Sequence, residues 1–249
     1  MSSSEPAPIF IVGAPRSGTT LLRSIVDAHP NICCPPWETG VFDRFDRMLS
    51  GDLEIVIDSE QSYPLHKPEL VAWCRRSCDD LFRVLTEKSG KPRWAEKTPA
   101  HVFHIDLIHA TYPAAQFVHI IRNGRDAVRS LQSQPWAPGN IRWSCHRWVQ
   151  SVQAGREAGR KLPAAQYLEL RYEDLISEPE LNIKSLCHFL HEDYAPAMLN
   201  FHEPKNNTWG ATAKPLTNKP VNKHRELTLW ERLNFRVIGG ATLKELGYR

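Results

Sequence analysis

The chain has 249 residues, 41% of them hydrophobic and 24% charged, with a formal net charge of +3. This is the composition of a soluble globular protein long enough to bury a substantial core. The small, scattered positive charge argues against nucleic acid as a partner, and no apolar run approaches the roughly 20 residues that would span a bilayer.

The opening "MSSSEPAP" lacks the basic and apolar regions of a secretory signal, so a cytoplasmic location is expected. "PIFIVG" (8 to 13) then reads as a strand closed by Gly13, and "TTLLRSIVDAHP" as a helix that Pro30 ends. From there to residue 92 the pattern is mostly helical, most clearly over 68 to 88. Cys74 and Cys78 share one face of that helix and read as ordinary buried thiols. The six cysteines show no zinc-ribbon or CxxC spacing, and no metal is expected.

"RWAEKTP" (93 to 99) is a further strand, stopped by Pro99 and followed by a helix to about 111. "QFVHIIRNGRDAVRSL" (116 to 131) repeats the strand–turn–helix grammar, with the turn at Asn123-Gly124. A helix follows from about 140 to 160, and "QYLELRYEDL" (166 to 175) reads as another strand. Residues 201 to 226 contain three prolines and four asparagines and have no periodicity; a connection of that length is usually functional or disordered. The last stretch reads as one or two amphipathic helices interrupted at Gly239-Gly240. The expected class is α/β: one domain over 1 to 249, with a P-loop-like central parallel sheet flanked by helices on both faces.

Two loops carry the chemistry. "GAPRSGTT" (13 to 20) has the glycines and Thr20 of a phosphate-binding loop, but Thr19 stands where that pattern has Lys. The loop joins a strand end to a helix start, where free amides and the helix dipole attract anions. Arg16 is its cation, Gly18 admits close approach, and Ser17, Thr19 and Thr20 add hydroxyls. Without the Lys a nucleoside triphosphate would be poorly neutralised. The second loop, "RNGRDAVRS" (122 to 130), sets Arg122 at a strand end and Ser130 on the following helix. Two clamps imply a nucleotide with anionic groups at both ends.

"PRSGTTLL" resembles the 5′-phosphosulfate loop of sulfotransferases, and "IIRNGRDAVRS" resembles their 3′-phosphate motif. "PPWETGVF", "AEKTP", "RYEDLISEP" and "NKPVN" are similar, in order, to stretches of the tyrosylprotein branch and its bacterial relatives. The resemblance implies 3′-phosphoadenosine 5′-phosphosulfate (PAPS) as donor, desulfated to PAP, and a hydroxyl or amine acceptor. It implies Glu38 as catalytic base, Lys97 on the transferring group, Tyr172 at the donor, and a nucleotide contact from the irregular loop, where Thr212, Thr217 and Lys219 are the candidates. The branch's disulfide partner is missing, since Ala95 stands there.

Sulfuryl transfer calls for an in-line nucleophile, a base within reach of its proton, and cations on the leaving phosphate. Glu38 is the first candidate for base, with His29 and Glu96 as alternatives; Arg16 and Lys97 are the cations. Trp143 and Trp148 are candidates to stack on adenine, although a core role suits their bulk better. Residues 40 to 66 and 132 to 142, with Phe42, Phe45 and Trp136, are expected to wall the acceptor, which is open between a phenol, a lipid and a peptide. A homodimer is left open. The competing functions are an atypical P-loop kinase or NTPase and a non-catalytic module for anionic ligands.

Overall fold

Short segments, apolar in β1 (Ile9–Val12) and mixed with charge in β3 (Arg93–Lys97) and β5 (Tyr167–Arg171), form the strands together with β2 (Ile32–Cys33) and β4 (Gln116–Ile121). The structure, a computed structural model, describes residues 6–50, 67–209, 214–216 and 227–248. The strands form one sheet in the order β2-β3-β1-β4-β5, every neighbouring pair parallel. Among the described residues the helices are α1 (Thr19–Asp27), α2 (Val41–Ser50), α3 (Lys67–Ser89), α4 (Ile105–Thr111) and α5 (Gly124–Gln132). They continue as α6 (Ile141–Gly159), α7 (Tyr172–Ser177), α8 (Pro179–Leu190) and α9 (Leu229–Glu245).

Parallel strands joined by helical crossovers must be covered on both faces, and the central strand shows why. All four residues of β1 are fully buried, and they alternate. Ile9 and Ile11 pack with α1, α8 and Phe201; Phe10 and Val12 pack with residues of α2, α3 and α4. A third cluster around Trp148 joins α5, α6 and α9 beyond the end of the sheet.

Three expectations need correction. Ile32–Cys33, within the stretch read as helical, pairs with Arg93 and Trp94 as a two-residue edge strand too short to leave a periodic signal. The strand expected over 166 to 175 stops at Arg171, where Tyr172 begins α7. The terminal helix runs unbroken through Gly239-Gly240. A Cβ on Gly239 would lie 2.9 Å from the Phe235 ring, so this glycine makes room for packing instead of ending the helix.

Candidate active site

The sheet register brings the functional loops together. Ile11 pairs with Lys97 and Val12 with His119, so β3, β1 and β4 end side by side. In parallel sheets ligands bind beyond that edge. The loop leaving β1 turns sharply: Gly13, Arg16 and Gly18 have φ of 152°, 69° and 103°. The conformation of Arg16 costs an L-residue on the order of 1–2 kcal/mol, strain of the kind found at ligand clamps. Gly18 is obligatory for a second reason, since a Cβ there would lie 2.4 Å from the Tyr172 ring. It begins α1 with no side-chain cap, leaving the first amides of the helix without that competition.

Arg122, at the end of β4, donates from Nη1 to the carbonyl of Arg16 at 3.2 Å. Arg16 Nε in turn donates to Ser130 Oγ at 3.2 Å, and the Arg122 guanidinium lies 4.4 Å from the centre of the Tyr172 ring. The two loops thus share one crevice. Ser17 Oγ and Arg122 Nε are buried there and have no hydrogen-bond partner among the described residues. Buried polar atoms are seldom left so, and at a helix start they suit an anionic ligand.

On the other side of the β1 loop, Lys97 Nζ donates to Glu38 Oε1 at 2.6 Å. Lys97 is 3% exposed and Glu38 51%, so the ammonium lies inside while the carboxylate faces outward.

The family model described as the sulfotransferase family matches residues 8–196. The chain belongs to the sulfotransferase family. A protein-tyrosine sulfotransferase of Drosophila melanogaster is 27% identical over 228 residues, covering 86% of this chain but 45% of its own length. This chain therefore spans under half of that relative. The sulfotransferase domain of the Synechococcus PCC 7002 olefin synthase has the same fold, with a TM-score of 0.69 at 21% identity over 97% of this chain and 96% of that one. Mouse sulfotransferase SULT7A1, solved with PAP, gives a TM-score of 0.58 at 14% identity, covering 96% of this chain and 86% of its own.

Of the residues expected at a sulfotransferase centre, Arg16, Ser17, Gly18, Thr19, Arg122, Ser130 and Tyr172 gather at the first loop, and Thr20, the second residue of α1, is exposed. Thr212, Thr217 and Lys219, with "NKPVN", lie outside the described residues, as does 51–66 of the expected acceptor wall. Both alternative bases are committed elsewhere. Asn31 N donates to His29 Nδ1, which leaves Nε2 to donate to the Asp193 carbonyl at 2.9 Å. Glu96 is 2% exposed and accepts from Thr39, Thr98 and His101. Burial pushes its carboxyl up, but the His101 charge and these hydrogen bonds outweigh burial and hold it below the usual carboxylate range.

Phe42 and Phe45 are core residues at 0% and 7% exposure, packed on Phe10 and His101 and on Trp73, so they do not line an acceptor wall; Trp136 is exposed. Trp148 is also core: its Nε1 donates to the Arg122 carbonyl, and its ring occupies the space that a Cβ on Gly124 would need. Trp143 stays partly exposed on α6.

Sequence reasoning missed Glu173, which accepts from Asn123 N at 2.9 Å and from the Tyr248 hydroxyl at 2.7 Å. It fixes the turn that carries Arg122. The available signal was an acid in the first turn of α7, two residues past a strand.

Proposed function

We propose that the chain, acting as one domain, moves the sulfuryl group of PAPS to a hydroxyl acceptor with Glu38 as general base. One observation carries the reading: the paired loops of Arg16 and Arg122 and the Lys97–Glu38 pair converge at three adjacent strand ends. When bound, the nucleotide supplies the sulfuryl group and a phosphate leaving group. Arg16, Ser17, Thr19, Thr20 and the α1 amides hold its 5′ arm, and Arg122 and Ser130 hold the 3′ phosphate; Tyr172 is a further donor contact, and Thr212, Thr217 and Lys219 are the candidates for donor contacts from the irregular segment. The missing loop Lys fits a donor that carries no triphosphate and calls for no metal.

Glu38 takes the acceptor proton at Oε1 or Oε2, and its exposure lets the hydroxyl come from solvent. Lys97, at the end of β3 and paired with Ile11, puts its ammonium where negative charge grows on the leaving oxygen. A contact of that kind typically contributes about 10²–10³ in turnover. The six cysteines, all free and buried, suit a reducing cytoplasmic setting.

A thermal-shift titration tests the reading. PAPS and PAP, each without magnesium, are expected to raise the melting temperature, because ligands that bind only the folded state stabilise it. Stabilisation by ATP–magnesium with no response to either nucleotide overturns it in favour of a kinase-like site.

A further inference from the structure

Helix α9 is apolar on two opposite sides. Phe235 and Leu243 are buried against the Trp148 cluster. The outward side carries Leu229 at 75% exposure, Leu233 at 52% and Val237 at 85%, spaced four apart, so they form one stripe along the helix, with Trp230 at 61% beside it. A surface helix normally turns polar residues to water, and four large apolar side chains in one patch mark an interaction site.

The charge beside that stripe narrows the occupant. Arg232 and Arg236 flank it, and Lys244 extends it beyond Val237. With Arg125 of α5 they line a cavity of about 780 Å³ whose other walls include Phe235, Leu243 and Tyr248, and among the described residues no Asp or Glu side chain lines it. Arg232 is partly engaged within the protein, its Nε donating to the Leu227 carbonyl, which leaves Arg236 and Lys244 as the more outward cations.

We propose that α9 docks this protein on an anionic lipid surface. Leu229, Trp230, Leu233 and Val237 enter the boundary between headgroups and acyl chains, and the Arg236–Lys244 cavity receives lipid phosphate. Exposed Leu and Trp flanked by Arg and Lys are the features of a helix lying in a membrane interface. With Phe235 and Leu243 packed into the Trp148 cluster, only the outward side of this 17-residue helix is available, so in the proposal α9 lies along the surface. A second copy is the weaker occupant. Pairing two α9 stripes about a twofold axis would set the Arg236 rows against each other, and like charges in an interface are costly.

Co-sedimentation of the full chain with vesicles decides the matter. Binding is expected to vesicles of phosphatidylcholine mixed with an equal part of phosphatidylglycerol, to be absent with phosphatidylcholine alone, and to weaken in high salt. Val237→Asp should reduce binding by at least about tenfold, and Arg236→Ala by about fivefold, the worth of one cation near an anionic surface. Both residues are exposed, so the melting temperature should not change. No sedimentation with the mixed vesicles, or equal binding by Val237→Asp, overturns the proposal. So does a concentration-dependent dimer that Val237→Asp dissolves, since a second copy would then cover the stripe.

Discussion

Arg122 and Glu38 project from loops on either side of the central strand, yet Arg122 is 7% exposed and the Glu38 side chain 51%. The Arg122 side is preformed: its guanidinium is held by the Arg16 carbonyl and the Tyr172 ring, and its turn by Glu173. On the Glu38 side the carboxylate meets one buried lysine and otherwise faces outward. On the proposed reading the fixed side takes the nucleotide and the open side the acceptor. That division predicts that substitutions on the two sides fail in different ways.

The sharpest break in that comparison is Glu38→Gln. The amide oxygen can still accept from Lys97 but cannot take a proton, so turnover is expected to fall by about 10²–10⁴ while nucleotide affinity is unchanged. Turnover with saturating PAPS and calorimetry with PAP measure the two quantities separately. An unimpaired rate removes Glu38 as base; a loss of affinity places it on the nucleotide side.

What the sequence made legible follows the same division. Gly13, Arg16 and Gly18 were readable because a turn between strand and helix is local, and Arg122 and Ser130 because both lie within one strand–turn–helix unit. Glu96 was not readable as a structural residue, since Thr39, Thr98 and His101 meet it only through the fold. Phe42 and Phe45 failed for a related reason: an apolar residue after a site loop looks the same whether it faces a ligand or the core. The Tyr172 boundary was lost because strand-like "YLELR" runs straight into α7 without a glycine or proline.

Acid should reveal how far the nucleotide side depends on its buried support. His119 is fully buried beneath the first loop, bonded to the Tyr167 hydroxyl, with its ring 3.6 Å from where a Gly13 Cβ would lie. Burial first, and then the Arg156 charge, lower its pKa to about 3. The unfolded chain takes this proton near pH 6.5 and the folded one does not, so stability rises with pH between about 3 and 6.5. The contribution is complete above that window and is lost as pH falls, amounting to roughly 3 kcal/mol by pH 4. His119→Gln, which cannot take up the proton, should melt with a shallower dependence between pH 7 and pH 4. Parallel curves would show that another group sets the acid limit.

The smallest effect tests whether the preformed side is held together by more than charge. The Tyr172 ring lies under Arg122 and against Gly18, so it fixes both clamps from below. Tyr172→Leu keeps apolar bulk but removes the cation–π attraction, worth about 1 kcal/mol at a partly buried site. PAP affinity, measured by calorimetry, is then expected to fall about fivefold with turnover at saturating PAPS nearly unchanged, because Lys97 and Glu38 keep their geometry. The reverse pattern, with affinity retained and turnover reduced, would mean that Tyr172 acts toward the acceptor, and the division between a fixed and an open side would have to be redrawn through α7.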